Sequence, residues 1–516
     1  MSKVVSIEKA ISVIKSGDSI GINTFFTIGN PINLLEKLNE RILKKHDLKD
    51  LSLYLSAPMG NWDENFAAER FLNTEAVKKI VCGHYSSMPI ACRRIANNEI
   101  EGYNLPMGIL SHLFRAAACG ESLLLSKIGL NLFPDPTVGV YGLNDISTEK
   151  LVERVKVMGE DFLAYKVPKL DVAIIRGTYS DVNGNISFEK EYSVIDALSM
   201  AQATKLNGGK VIVQVEKMAP GHRRPWDIII PGMLVDMVVL CPDQEQRVNA
   251  NYDSRMSGDV KPTAEQLINY VIENTKKVAA SGKERGVAAE IISKRAEQCL
   301  RAGDNVNIGI GIPEGVAYQA VQNGMLDKIT LLVESGGIGG VPVGGRGFGA
   351  TIGADSYMSM AQMFDFYHGG GIDKTFVGCM EVDEKGRVNA HSLPDRIVGI
   401  GGFADITQNA KNVYFCTTFT SGGLKVELDD EKNLKIVKEG SIPKFVKKVH
   451  AVSFSAANSN ALNQTVYVVT ERCLFKLENE SWTILEIMRG IDLQKDILDK
   501  IPFEVKVSEN LKYMEI

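Results

Sequence analysis

The segment AISVIKSGDSIGINTFFTIGNPINLLEKL, residues 10–38, returns later in the chain as AEQCLRAGDNVNIGIGIPEGVAYQAV, residues 296–321. Both read as helix, Gly-Asp turn, short strand, glycine loop and a helix opened near proline. Gly303 and Asp304 answer Gly17 and Asp18, and Pro313 answers Pro31. The order persists downstream. DLSLYLSAPMG (50–60) pairs with KITLLVESGGI (328–338), DVAIIRGTYSDVNGNI (171–186) with DKTFVGCMEVDEKGRV (373–388), and GKVIVQV (209–215) with KNVYFCT (411–417). Parallel neighbouring strands need crossover connections, and strands spaced by helices supply them, so each copy predicts βαβ units. The expected fold class is α/β, with two homologous open α/β domains built on mainly parallel sheets.

A chain of 516 residues exceeds the length at which one core keeps growing, which agrees with two domains. We place the first at 1–250 and the second at 286–516. The polar tract 251–285 between the repeats reads as a linker, irregular at first and then helical. Shared landmarks lie further apart in the first half, so an insertion falls between about 61 and 170 and holds YNLPMGILSHLFRAAACG (103–120). A net charge of −5 gives no basic face for nucleic acid and no attraction to a membrane surface. No stretch reaches the length of a membrane span, and the N-terminal residues have the rhythm of a helix and lack a signal-peptide core. The eight cysteines form no CxxC pair and no metal spacing, so free thiols in a cytoplasmic setting are expected.

The two copies part company at one position. Glu334 ends the second-half strand in TLLVESGGIGGVPVGGRGFG (330–349), whereas the first half has Ser56 there. The residues that follow are dense in glycine, whose conformational cost a simple surface turn does not require. Three readings stand. Glu334 is a solvent-facing strand end; or GIGIPEG (309–315) is a dinucleotide loop with Glu334 as its ribose acid, as in a dehydrogenase, although the spacing is GxGxxxG with Pro313 inside it; or Glu334 is a nucleophile. A carboxylate attacks only an activated carbonyl such as a thioester, and it needs close approach and oxyanion donors. Glycine backbone supplies both.

VESGGIGGVP, with Glu334, Gly336 and Gly339, resembles the ExGxxG signature of the family I CoA-transferases. NLPMGILSHLFRA (104–116), GNISFEKE (184–191), GGKVIVQVE (208–216), FDFYHGGGID (364–373), GGFADITQNAKNVYF (401–415) and TSGGLKVEL (420–428) extend the resemblance to the single-chain acetate or propionate branch, in which α-like and β-like halves are fused. The resemblance implies that Glu334 carries CoA between an acyl-CoA and a short carboxylic acid. The route passes through an acyl-glutamyl anhydride and a glutamyl-CoA thioester with ping-pong kinetics. It places an oxyanion amide at Gly401 or Gly402, lets Gly336, Gly339 and Gly340 admit pantetheine, and puts Met107 where the family often has glutamine, at the acyl pocket. Lys425 is a candidate for phosphate, with a solvated surface charge as the plainer reading. His368 stands where related chains have aspartate and receives no catalytic role. Coenzyme A is a substrate here, with no metal and no permanently bound cofactor, and the assembly implied is a homo-oligomer, dimer or tetramer. An acyl-CoA hydrolase and a non-catalytic acyl-CoA sensor share these features.

Overall fold

The computed structural model describes residues 3–221, 223–244, 252–280 and 286–516. The first half builds a seven-stranded sheet from β1 (Ser19–Ile22), β2 (Leu51–Leu55), β3 (Val77–Cys82), β4 (Glu101–Asn104), β5 (Val172–Arg176), β6 (Lys210–Val215) and β7 (Met237–Leu240), in the order β7-β6-β5-β1-β2-β3-β4. Every pairing in it is parallel. Runs such as VAIIR and KVIVQV are buried almost throughout, as strands covered by helices on both faces must be. After β1, the helix α1 (Ile32–Lys45) lays Leu34, Leu35, Leu38 and Ile42 on the sheet at helical spacing.

The second sheet has ten strands: β8 (Asn305–Ile308), β9 (Thr330–Leu332), β10 (Gly337–Ile338), β11 (Ser356–Tyr357), β12 (Lys374–Val377), β13 (Asn412–Cys416), β14 (Thr465–Val469), β15 (Cys473–Glu478), β16 (Ser481–Ile487) and β17 (Lys506–Tyr513). Their order is β11-β10-β9-β8-β12-β13-β14-β15-β16-β17. The block β13-β12-β8-β9 reproduces β6-β5-β1-β2 strand for strand, all parallel, which is the repeat seen in the sequence. The expected pair of mainly parallel α/β sheets is therefore present.

The halves diverge beyond that block. After β2 the first sheet continues in parallel through β3 and β4, which belong to the inserted stretch. That stretch also holds α2 (Met107–Ala118) and a small antiparallel sheet from 123 to 166. After β9 the second half reverses direction and β10 pairs antiparallel with β9, because Gly336 takes φ +118°, a backbone few other residues adopt. The tract between the repeats packs against the second half: Met256 joins its core, and the Gly353 N–H donates to Arg255 O at 2.9 Å. Helix Ala264–Ala280 follows, while residues 251 and 281–285 lie outside the described residues. One continuous core gathers Phe25, Phe26, Met107 and Tyr192 of the first half with Phe364, Phe376 and Phe415 of the second. All eight cysteines are free.

Candidate active site

Ligands in open α/β sheets gather outside the carboxyl ends of the strands. Here two sheets bring such ends together. From the first half come the residues after β1 (Phe25, Phe26), β3 (Gly83, His84) and β4 (Met107). From the second come Glu334, two residues beyond β9, and the loop Gly399–Gly402 that opens the short helix α3 (Phe403–Thr407).

Glu334 is half-buried, between the buried Val333 and Ser335. Ser335 is locked on both sides: its hydroxyl donates to Gly349 O, and its carbonyl accepts from the Ser193 hydroxyl of the first half. Burial away from water pushes the Glu334 carboxyl up to about 7, and the charge of Asp405 adds to the rise. A Cβ built at Gly402 would lie 2.9 Å from Glu334 Oε1 and 3.4 Å from Cδ, so the carboxylate rests directly on main chain.

The two candidate oxyanion glycines divide. The Gly401 N–H is committed to Gly83 O at 2.7 Å and is no free donor, whereas the Gly402 N–H makes no hydrogen bond among the described residues. Gly401 instead serves as a strut: its carbonyl accepts from the Met107 N–H at 3.0 Å, and the Met107 methyl lies 3.9 Å from where a Gly401 Cβ would stand. Met107 thus sits in the crevice wall, buried, at the first turn of α2.

Gly336, Gly339 and Gly340 are crowded on their Cβ side. A Cβ on them would fall 2.0 Å from Met358 O, 2.0 Å from Asp355 Oδ2 and 2.3 Å from Ile352 O. What approaches this backbone closely is the protein's own returning strand. Gly336 and Gly339 also donate their amides to Val333 O and Leu331 O. These glycines shape the turn that presents Glu334.

Several residues of the site carry no sequence signal. Asn104 donates to Cys82 O (2.9 Å) and Gly83 O (2.7 Å) while its Oδ1 accepts from the Ile400 N–H at 2.9 Å. His84 places Nδ1 3.1 Å from Gly399 O and Nε2 2.6 Å from Ser86 Oγ. Burial pushes its imidazole down to about 4, so it is neutral at physiological pH. Together they pin the Gly399–Gly402 loop from the opposite domain. His368 ends the helix α4 (Met360–His368); its Nε2 meets the fully buried Asp405 at 2.9 Å. Asp405 also accepts the Gly108 N–H at 3.0 Å. Lys425 is exposed on a hairpin strand, Lys425–Leu428. In the Gly309–Gly315 loop, Gly311 donates to Glu314 Oε1 at 3.1 Å, so a carboxylate occupies the helix start where a dinucleotide would need its phosphate. Ser56, the counterpart of Glu334, is buried and donates to Asp196 Oδ2 at 2.5 Å. Among the described residues no cluster of His, Cys, Asp and Glu is arranged to hold a metal ion, and no helix is long and apolar enough to cross a membrane.

A family model described as coenzyme A transferase matches residues 4–240 and 289–481. The chain belongs to the coenzyme A transferase family. Within it, the sequence is 35% identical to a caffeate CoA-transferase of Acetobacterium woodii over all of this chain and 97% of that one. It is 37% identical to the acetate CoA-transferase YdiF of Escherichia coli over 85% of this chain and 80% of that one. The crystal structure of the YdiF apoenzyme from E. coli O157:H7 superposes with a TM-score of 0.90 at 33% identity, covering 100% of this chain and 95% of that chain. This coenzyme A transferase is an enzyme of the acyl-CoA:carboxylate class.

Proposed function

We propose that the enzyme carries CoA on Glu334 between an acyl-CoA and a short carboxylic acid. The observation that carries this reading is the contact between the Glu334 carboxylate and bare main chain at Gly402, 2.9 Å from a Cβ that is not there. A Glu334 oxygen attacks the thioester carbon; the C–S bond breaks and CoA leaves as a thiolate with an acyl-glutamyl anhydride behind it. The thiolate then attacks the glutamyl carbonyl, releasing the first acid as carboxylate and forming glutamyl-CoA. An incoming carboxylate reverses both steps, so the thioester's free energy stays in the protein.

The unpartnered Gly402 N–H is the donor we assign to the developing oxyanion. Met107 supplies no side-chain hydrogen bond, since a thioether is no donor, and contributes surface. A crystal structure of E. coli YdiF described as a thioester complex with CoA superposes at TM-score 0.89 and 32% identity, which supports the intermediate without identifying it here. Free and largely buried cysteines fit a reducing compartment, and the cytoplasmic homo-oligomer implied by the sequence belongs to the same proposal.

The test is to incubate the enzyme with acetyl-CoA and examine the peptide bearing Glu334 by mass spectrometry. A CoA adduct on that peptide, absent in Glu334→Ala, is expected. Transfer that survives Glu334→Ala would sink the mechanism, and tight binding with neither adduct nor transfer would leave a sensor in its place.

A further inference from the structure

Behind the nucleophile a buried carboxylate is held from both halves of the chain. Asp405 lies in α3, the helix that Gly402 opens, and the Ile406 N–H donates to Gly402 O at 2.8 Å. Asp405 is thus three helical residues, about 4.5 Å of rise, beyond the main chain on which Glu334 rests. Its Oδ2 accepts the Gly108 N–H of the first half at 3.0 Å, and its Oδ1 accepts from His368 Nε2 at 2.9 Å. A Cβ at Gly108 would stand 2.5 Å from Oδ1, so the glycine beside Met107 lets the carboxylate come this close. Among the described residues, His368 is the titratable partner within ion-pair distance of Asp405.

His368 is itself fixed at the end of α4. Its carbonyl accepts from Asn409 Nδ2 at 2.8 Å, and its ring stands edge-on to that of His112, with centroids 4.9 Å apart and planes at 88°. His112 of α2 spends its Nε2 on Ala361 O and on Asp365 Oδ1, both at 3.1 Å, and Arg115 holds the other oxygen of Asp365 near the surface. Asp196, bonded to the hydroxyls of Ser56 and Ser111, faces His112 from the first half. The other titratable groups around the pair and the nucleophile are uncharged near neutral pH. Burial and then the charge of Asp405 push the Tyr165 hydroxyl well above its usual range, burial and then the charge of Glu334 do the same to Tyr367, and burial pushes His84, beside Gly401, down to about 4.

We propose that His368 is a positioning residue that keeps Asp405 ionised and fixed behind the site, and that this second carboxylate sets the pH at which Glu334 ionises and drives Glu334 toward its acylated forms. Like charges close together in a crevice repel, which makes Glu334 more basic and a stronger nucleophile. Attack on the thioester removes the Glu334 charge: its oxygen becomes part of a neutral anhydride, and the negative charge leaves on the CoA sulfur. The repulsion is absent from the anhydride and from glutamyl-CoA, so Asp405 favours both relative to the free carboxylate without touching either. The inference rests on Glu334 being the acyl acceptor and adds the residues that tune it.

The test is single-turnover adduct formation from acetyl-CoA by the full-length enzyme between pH 5 and 8, in the wild type, Asp405→Asn, His368→Leu and His368→Gln. Asp405→Asn removes the charge and keeps an oxygen for the Gly108 N–H, so the midpoint of rate against pH should fall by roughly half a unit to one unit, with less enzyme held as glutamyl-CoA at equilibrium. His368→Leu strips the donor from a buried carboxylate, which then takes up a proton, and should lower the midpoint to a similar extent. His368→Gln offers an amide N–H in place of Nε2 and should bring the midpoint back to that of the wild type. Loss of packing alone would slow the reaction and leave the midpoint where it is. A midpoint unmoved or raised in either folded variant, or lowered by His368→Gln as far as by His368→Leu, would overturn the inference while leaving Glu334 as acceptor. His368 is only partly buried, so His368→Leu decides the question even where Asp405→Asn fails to fold. No adduct on Glu334 in the wild type at any pH would overturn the underlying mechanism as well.

Discussion

Adding one methyl group at Gly402 tests the contact between the nucleophile and the main chain. Gly402 has φ −84° and ψ 0°, a backbone alanine adopts without strain. The new Cβ would stand 2.9 Å from Glu334 Oε1 and 3.1 Å from Cγ. Unstrained carbon contacts begin near 3.5 Å, so the carboxylate must retreat by about 0.5 Å. Misplacement by about 1 Å can cost roughly a hundredfold in rate, and half that distance predicts a loss of about ten- to a hundredfold in forming the CoA adduct. The neighbouring glycine is the control. At Gly401 a Cβ finds its nearest atoms at 3.8 and 3.9 Å, but φ is +56°, so Gly401→Ala should cost about 1–2 kcal/mol of stability and disturb the carboxylate far less. Single-turnover adduct formation from acetyl-CoA, followed by rapid quench and mass spectrometry beside urea unfolding of each variant, separates the two effects. A Gly402→Ala enzyme as fast as wild type, or a Gly401→Ala enzyme slower than it, would refute the reasoning.

Other outcomes follow from the same site. With the Glu334 carboxyl near 7 and only the carboxylate nucleophilic, the single-turnover rate should climb through pH 7 and fall about tenfold per pH unit below 6; a flat profile from pH 5 to 8 would contradict the burial argument. The raised value means the native state holds its proton between the ordinary 4.5 and about 7 where the unfolded chain has released it. Wild type should therefore lose stability relative to Glu334→Gln across that window, by up to about 3 kcal/mol, and no more above it, as urea unfolding at pH 5 and 8 would show. Asn104→Ala leaves the buried Ile400 N–H unsatisfied and frees the donor loop, so it should cost about 1–3 kcal/mol and slow adduct formation, an effect that an unaltered rate would exclude. Met107→Leu keeps volume and hydrogen-bonding capacity, and transfer within about threefold of wild type is expected; a hundredfold loss would show that the thioether does more than fill space.

The architecture was legible because short strands alternate with helices and turns in one order that occurs twice, VAIIR matching KTFV and LSLYL matching TLL. Glu334 stood out because its counterpart is a serine. The purpose of the glycines beyond it was not legible: residue type shows that something comes close, and only the returning strand shows that Met358 and Ile352 do. Choosing between Gly401 and Gly402 turned on which amide Gly83, more than three hundred residues away, had already taken. His84, Asn104 and Asp405 act through contacts of the same long range, which periodicity and spacing cannot register.

The cross-domain grip on residues 399–402 has an evolutionary consequence. Either half made alone would lack part of the shared core and present an unfinished pocket, one bearing a reactive acid with a slack partner loop, the other the grip with no loop to hold. Natural selection can then see only the pair, and substitutions at 83, 84 and 104 should drift in step with those at 399–401, as if two genes had been reduced to one locus of inheritance.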